Sequence, residues 1–145
     1  MSNKILIAAD HAGLDLKKGL IEQMPNDTFE DLGTNSKENV DYPDYANELA
    51  RRISMNNNKK GVLICGTGVG MSVAANKFKN IRAGLVYNSE VAKLIREHND
   101  ANILVLPGRY MDILEAIKCV DIFLSSSFEG GRHARRLNKI IKDYN

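Results

Sequence analysis

Residues 61–72 read Gly-Val-Leu-Ile-Cys-Gly-Thr-Gly-Val-Gly-Met-Ser, an apolar run that passes through a glycine-rich turn into a helical pattern. An unbroken apolar run of this kind is typical of a strand that is covered on both faces, as in a parallel sheet. The glycines at 66, 68 and 70 interrupt the strand and leave backbone N–H groups free at the turn. The stretch therefore predicts a strand–turn–helix unit of an α/β protein.

The same alternation runs through the whole chain. Further strands are predicted at 4–9, 28–32, 82–86 and 102–106, and helices at 13–24, 45–55, 71–78, 90–98, 112–124 and 131–144. This succession predicts one α/β domain over residues 1–145, a doubly wound, Rossmann-like, five-stranded parallel sheet in the order 2-1-3-4-5. Helices are expected on both faces, with an extra C-terminal helix. Ligands of such sheets bind beyond the carboxyl ends of the strands where the order reverses, here between strands 1 and 3.

Composition excludes several classes of protein. The chain has 145 residues, with 20 Lys and Arg against 18 Asp and Glu, so a generally basic nucleic-acid binder is excluded. No apolar run approaches the length of a membrane span, and residues 1–5 do not resemble a signal peptide, so we expect a cytoplasmic protein. Cys65 and Cys119 fit a reducing compartment and have no metal-ligand spacing, so neither a metal nor a cofactor is expected.

The glycine turn does not match the common phosphate-binding loops. The dinucleotide fingerprint needs glycine and a phosphatase loop needs arginine where Met71 stands, and a Walker loop starting at Gly61 needs lysine where Thr67 stands. With these loop types excluded, the chemically distinctive residue of the stretch is Cys65, at the end of a strand and before a helix. Such a cysteine is often inert core, but thiols at helix N-termini ionise more readily than free cysteine. Cys65 is thus a candidate base or nucleophile, beside amides that can hold an oxyanion.

Other polar groups are expected at the same sheet edge. Asp10 and His11 follow the first strand, although Asp10 can equally cap the first helix. His98 closes the helix after strand 4, where a histidine can also simply complement the helix dipole. Tyr42 precedes the second helix, with packing as its alternative role, and Arg109 follows strand 5. Together with Cys65, these groups suit proton transfer without a cofactor.

The basic excess is confined to the C-terminal segment. Residues 132–145 carry five basic side chains and one acidic side chain. Arg132 and Arg136 are four residues apart, so on a helix they share one face and can clamp a phosphate. The patch is short and has no interleaved aromatic residues, which disfavours nucleic acid. Arg135, Lys139 and Lys142 are interpreted as an ordinary solvated helix face.

Five segments in register resemble the type B ribose-5-phosphate isomerases and the related galactose-6-phosphate isomerase subunits. They are residues 10–13, 41–46, 65–77, 98–102 and 128–133. Cys65 and Met71 place the chain in the cysteine branch of that family, whereas another branch uses a nearby glutamate. One departure is Pro107, two residues before Arg109, where the family often has glycine.

The resemblance implies interconversion of ribose 5-phosphate and ribulose 5-phosphate through an enediolate, a step of the pentose phosphate pathway. Cys65 would move the proton between carbons, Thr67 would stabilise the enediolate oxygen, and His98, helped by Asp10, would open the sugar ring. The family builds each site from two subunits, which implies a homodimer, or a tetramer. The implied substrate contacts are Asp10, His11, Tyr42, Gly66, Thr67, Gly68, Val69, Gly70, Asn99, Arg109, Arg132, His133 and Arg136.

Two alternatives stay open. Within the enzyme class, the substrate can instead be a six-carbon sugar phosphate such as galactose 6-phosphate or allose 6-phosphate. In a different class, the glycine turn can belong to a non-catalytic module that binds a nucleotide or phosphate. A phospho-receiver domain shares the predicted fold, but Cys65 and Arg109 stand where its phosphoacceptor aspartate and its lysine belong.

Overall fold

The computed structural model describes residues 3–140. Its strands are β1 (Ile5–Ala9), β2 (Phe29–Asp31), β3 (Gly61–Cys65), β4 (Ala83–Leu85) and β5 (Ile103–Pro107), and its helices are α1 (Leu14–Gln23), α2 (Tyr42–Ser54), α3 (Val69–Ala75), α4 (Ser89–Glu97), α5 (Ile113–Ser125) and α6 (Arg132–Leu137). All strand pairs are parallel, so the predicted α/β class is confirmed. Among the described residues, no helix has the length and apolar character needed to cross a membrane.

The strand order is 2-1-3-5-4, so the predicted order 2-1-3-4-5 is wrong at one edge. β5 lies inside the sheet between β3 and β4, and Cys65 is paired in register with Pro107. The reason is burial, because all five residues of β5 are buried, whereas β4 has only three residues, each half-buried. The longer apolar strand removes more apolar surface from water in an interior position, so it lies inside the sheet and the short strand forms the edge.

Alternate residues of each central strand enter different cores. One core contains Ile64 and Leu106 and is covered by α1, α4 and α5. The other contains Leu63, Cys65 and Val105 and is covered by α2 and α3. Because side chains alternate across a strand, this register directs Cys65 to the face on which α3 begins.

Two helix boundaries differ from the predicted ones. α2 begins at Tyr42 rather than at 45, because the proline that follows Tyr42 is well tolerated in a first helical turn. The predicted C-terminal helix over 131–144 is shorter, since α6 ends at Leu137 and residues 138–140 form a turn. Ile140, the last residue that the structure describes, is 57% exposed. Ile141, Lys142 and Tyr144 lie outside the described residues.

Candidate active site

Cys65 lies at the carboxyl edge of the sheet, where β3 ends. Its side chain is only 5% exposed. The ends of β3 and β5 are joined beyond it, because the N–H of Gly108 donates to the Cys65 carbonyl at 2.8 Å and that of Arg109 to the Gly66 carbonyl at 3.0 Å. Arg109 also lies over Gly66, where a Cβ would be 3.1 Å from its Nη1. The strand that ends in Pro107 thus carries an exposed guanidinium to the glycine turn.

Two glycines of the turn are required by its shape. Gly68 has φ of +80°, and a Cβ there would overlap the side chain of Leu85. Gly70 packs under the ring of Tyr42, so closely that a Cβ would lie 2.6 Å from ring carbons. Tyr42 is therefore in contact with the turn, and it keeps 38% of its surface exposed beside it. Both contacts fix the conformation of the turn that follows Cys65.

Backbone amides of the turn are available to an anion. The N–H groups of Gly66, Gly68 and Gly70 donate no hydrogen bond within residues 3–140. The N–H of Val69 is already used, because it donates to the Thr67 hydroxyl oxygen at 3.2 Å. That hydroxyl keeps its own hydrogen to donate. The turn can therefore offer several donors to one developing negative charge.

Tyr87 also supports the turn, and the sequence did not suggest it. Its hydroxyl donates to the Thr67 carbonyl oxygen at 2.8 Å. The ring is 48% exposed and lies 6.4 Å from the ring of Tyr110, centroid to centroid. Its position two residues after β4 was the available signal, because every strand of a parallel sheet delivers its following residues to this same edge.

Asp10 and His11 complete this edge of the sheet. Asp10 is buried, and its Oδ1 accepts hydrogen bonds from the N–H groups of Ala12 and Gly13 at 3.0 and 3.1 Å. It therefore caps the short 3-10 turn His11–Gly13, the alternative role considered for it. Nδ1 of His11 accepts from the N–H of Val40 at 3.2 Å, so it carries no proton and Nε2 is the donor of the neutral ring.

His98 and Asn99 do not lie at this edge, and the expectation that they share it is wrong within one chain. His98 ends α4, and the Asn99 carbonyl accepts from Nε of Arg82 at 2.9 Å, immediately before β4 begins. The cause is topological, because a crossover helix runs back antiparallel to the strands and ends near their amino ends. A five-residue strand such as β3 spans roughly 16 Å, so His98 is far from Cys65 of its own chain.

The C-terminal segment joins His98 instead. The rings of His98 and His133 are stacked, 4.2 Å between centroids with 11° between their planes. Burial lowers the pKa of His133, and the charges of His98 and Arg132 lower it further. Arg132 and Arg136 are exposed, and neither is paired with a carboxylate within the described part of the chain. The structure thus divides the candidate residues into two groups at opposite ends of the sheet.

Comparison with known proteins identifies the family. The family model described as ribose/galactose isomerase matches residues 5–140. The chain belongs to the ribose/galactose isomerase family. It is 49% identical over 144 residues to a Mycoplasma pneumoniae protein named probable ribose-5-phosphate isomerase B, covering 97% of this chain and 95% of the relative.

Solved structures of this isomerase family have the same fold. A ribose 5-phosphate isomerase from Thermotoga maritima is 50% identical, with a TM-score of 0.90 over 94% of this chain and 96% of that one. Ribose-5-phosphate isomerase B from Mycoplasma genitalium, solved with bound ribulose-5-phosphate, is 47% identical, with a TM-score of 0.90 over 95% and 93% of the two chains. The resemblance stated from five sequence segments is therefore confirmed.

Cys119, the second cysteine of this isomerase-family chain, lies in the hydrophobic core. It is a fully buried residue of α5, and burial raises its pKa to about 12. A thiol with such a pKa stays protonated at neutral pH and is a poor nucleophile. Only Cys65 therefore stands at the sheet edge where ligands of this fold bind.

Proposed function

We propose that this chain is a ribose-5-phosphate isomerase that interconverts ribose 5-phosphate and ribulose 5-phosphate through an enediolate. The observation that carries the proposal is the position of Cys65 beside a turn in which the N–H groups of Gly66, Gly68 and Gly70 donate no hydrogen bond within residues 3–140. A base and an oxyanion pocket side by side are what proton transfer next to a carbonyl requires. The ribulose-5-phosphate bound to the M. genitalium relative supports the choice of a phosphorylated pentose.

Proton transfer would proceed in two balanced steps. The Cys65 thiolate takes the proton from C2 of the open-chain aldose, and the electron pair forms the C1–C2 double bond while O1 becomes the oxyanion. The hydroxyl of Thr67 and the free amides of the turn hold this charge. A proton then moves from O2 to O1, the C2 carbonyl forms, and the Cys65 thiol returns its proton to C1. The chemistry uses only side chains and backbone of the protein.

Ring opening requires a second copy of the chain. His98 and the exposed Arg132 and Arg136 lie at the other end of the sheet from Cys65, so neither group can act alone on a molecule as small as a pentose phosphate. We infer a homodimer in which His98 of one chain faces Cys65 of the other. In it, Asp10 of one subunit assists His98 of the other, and Arg132 and Arg136 meet the phosphate near Arg109 of the facing subunit.

Complementation between two inactive variants tests the shared site. Cys65→Ala and His98→Ala chains are refolded together from denaturant. If each site combines Cys65 of one chain with His98 of the other, half of the dimers are mixed and each contains one intact site, so about a quarter of the wild-type activity returns. Each variant refolded alone is the control. If the mixture stays inactive while size-exclusion chromatography with differently tagged chains shows mixed dimers, a site shared in this way is refuted.

Substrate identity is tested by a coupled assay of the purified protein with EDTA present. Ribose 5-phosphate is compared with galactose 6-phosphate and allose 6-phosphate, and we expect the highest kcat/KM with the pentose. A higher kcat/KM with a six-carbon sugar phosphate would show that the enzyme is an isomerase of that substrate instead. Binding of the sugar phosphates without turnover of any would make the protein a binding module and refute the proposed function.

A further inference from the structure

Three ligating groups converge beside the two stacked histidines. Nε2 of His98 is 3.8 Å and Nε2 of His133 is 3.5 Å from the same oxygen of Glu129, Oε1. One ligating atom from each of the three residues lies within 4.8 Å of the other two. The two distances to Oε1 are at or beyond the limit of a good hydrogen bond, yet short enough for a single ion to bridge the groups. Their spacing in the sequence gives no metal-binding signature, because the fold alone brings residue 98 to residues 129 and 133.

His133 provides an independent observation that points to a ligand at this cluster. Its side chain is only 8% exposed, and Nε2 is a buried side-chain atom without a hydrogen-bond partner. Buried polar atoms are nearly always satisfied, so one that is not calls for a ligand or a water. Burial and the neighbouring positive charges lower the pKa of His133, which keeps the ring neutral and a nitrogen lone pair available at neutral pH.

We propose that His98, Glu129 and His133 form a binding site for a divalent transition-metal ion, for which Zn²⁺ is the probe, and that its occupation inhibits the enzyme. Two imidazoles and a carboxylate are ligands that Zn²⁺ accepts, whereas Mg²⁺ and Ca²⁺ prefer oxygen ligands alone. The three residues leave a fourth position for water or substrate. The inhibitory part rests on the proposed function, because it requires His98 to act in ring opening.

Geometry and charge set the expected strength of this site. Tetrahedral Zn²⁺ places its ligand atoms about 3.3 Å apart, close to the distances of 3.5 and 3.8 Å to Oε1. The stacked rings must tilt toward a common point, and His98 has room to do so because it is 37% exposed. Arg132 and Arg136 act against a cation, since both lie close enough to affect His133 electrostatically. We therefore expect a dissociation constant in the micromolar range, weaker than that of a structural zinc site.

The consequence for the reaction is direct. A metal-bound imidazole has no lone pair left to accept a proton, so His98 cannot take part in ring opening while the ion is bound. Because protons compete for the same nitrogens, binding weakens as the pH falls. A chelator restores activity. The bound ion is therefore an inhibitor and supplies nothing to the isomerisation itself.

Direct binding of Zn²⁺ to the full-length protein tests the site independently of activity. The dissociation constant is measured by calorimetry for the wild type, Glu129→Gln and His133→Gln, with Glu97→Gln as the matched control. Glu97 is also acidic and near His98, but its carboxylate lies 3.9 Å from Lys93 and outside the cluster. We expect at least tenfold weaker binding in both cluster variants and an unchanged constant in the control. Glu129 is 50% exposed, so Glu129→Gln is expected to fold even if His133→Gln does not.

Cys65 is the competing zinc ligand and needs its own measurement. A thiolate bound to Co²⁺ gives an intense charge-transfer band that imidazole and carboxylate ligands do not give. Binding that persists in Cys65→Ser and weakens in Glu129→Gln supports the cluster. Binding that is lost in Cys65→Ser and unchanged in Glu129→Gln overturns it, as does the absence of binding at about 100 μM Zn²⁺.

The inhibition assay separates the two proposals. If Zn²⁺ binds through the cluster but the protein isomerises no sugar phosphate, the metal site stands and the proposed function fails. If an active enzyme keeps its full rate with the cluster saturated by Zn²⁺, the inhibitory role is refuted. The expected result is a loss of most activity in the wild type, reversed by EDTA, with at least tenfold higher Zn²⁺ needed for Glu129→Gln.

Discussion

Replacing Gly68 by alanine tests whether the glycine turn has the shape described here. Gly68 has φ of +80°, a conformation that costs an L-residue about 1–2 kcal/mol. A Cβ there would also overlap Leu85, and forcing extra volume into packed surroundings costs about 1–3 kcal/mol. The expected loss in the free energy of unfolding is therefore about 2–5 kcal/mol, with Tm lower by roughly 5–15 °C.

A second glycine provides the matched control. Gly130 has φ of +71°, but no atom lies within 4 Å of the position that its Cβ would take. The free energy of unfolding of Gly130→Ala should therefore decrease only by the cost of the positive φ, about 1–2 kcal/mol, without any cost of overlap. Both variants are unfolded in urea at one protein concentration, followed by circular dichroism, and their free energies of unfolding are compared.

The double variant Gly68→Ala/Leu85→Ala measures the energetic cost of the overlap between a Cβ at position 68 and the Leu85 side chain. Truncating Leu85 removes the atom that a Cβ at position 68 would meet, so Gly68→Ala should cost about 1–3 kcal/mol less in that background. A Gly68→Ala variant that is destabilised no more than Gly130→Ala, or additive effects of the substitutions at 68 and 85, would show that the Cβ at position 68 does not overlap Leu85.

Four further outcomes follow from other contacts. Tyr87→Phe removes the hydroxyl that donates to the Thr67 carbonyl, so kcat should fall severalfold with little change in KM. Tyr110→Phe, the control, removes a hydroxyl from the neighbouring ring and should leave kcat and KM near their wild-type values. Iodoacetamide should leave Cys119 unmodified in the folded protein, because its pKa of about 12 keeps the thiol protonated; mass spectrometry showing alkylation there below the unfolding temperature would contradict this. Arg136→Ala should raise KM far more than it lowers kcat, since a phosphate contact stabilises ground and transition states alike, and equal losses in kcat and kcat/KM would argue against that role. The pKa of His133 is lower in the folded state than in the unfolded state, so the unfolded state binds the additional proton as the pH falls. The free energy of unfolding should therefore decrease below about pH 6.5. The decrease in Tm between pH 7.5 and 5.5 should be smaller in His133→Gln than in the wild type.

Local sequence was sufficient for the elements and for one half of the site. The unbroken apolar run that ends in Cys65 is typical of a strand buried on both faces, and the glycines after it are typical of a turn. Asp10, His11 and Arg109 were identified because each lies within two residues of the end of a strand, and parallel strands bring their following residues to one edge. Tyr87 satisfied the same rule and was missed, because a lone tyrosine in a loop carries no chemical signature.

The sequence alone determined the fold class and the family and supplied the candidate reactive groups, because periodicity and short motifs are properties of neighbouring residues. Only the tertiary structure decided which groups meet. The order of β4 and β5 depended on how much apolar surface each strand buries, a comparison between distant segments. The separation of His98 from Cys65 depended on the direction in which α4 returns across the sheet. The cluster of His98, Glu129 and His133 exists because the fold brings together residues about thirty positions apart, a distance over which spacing in the sequence carries no geometric information.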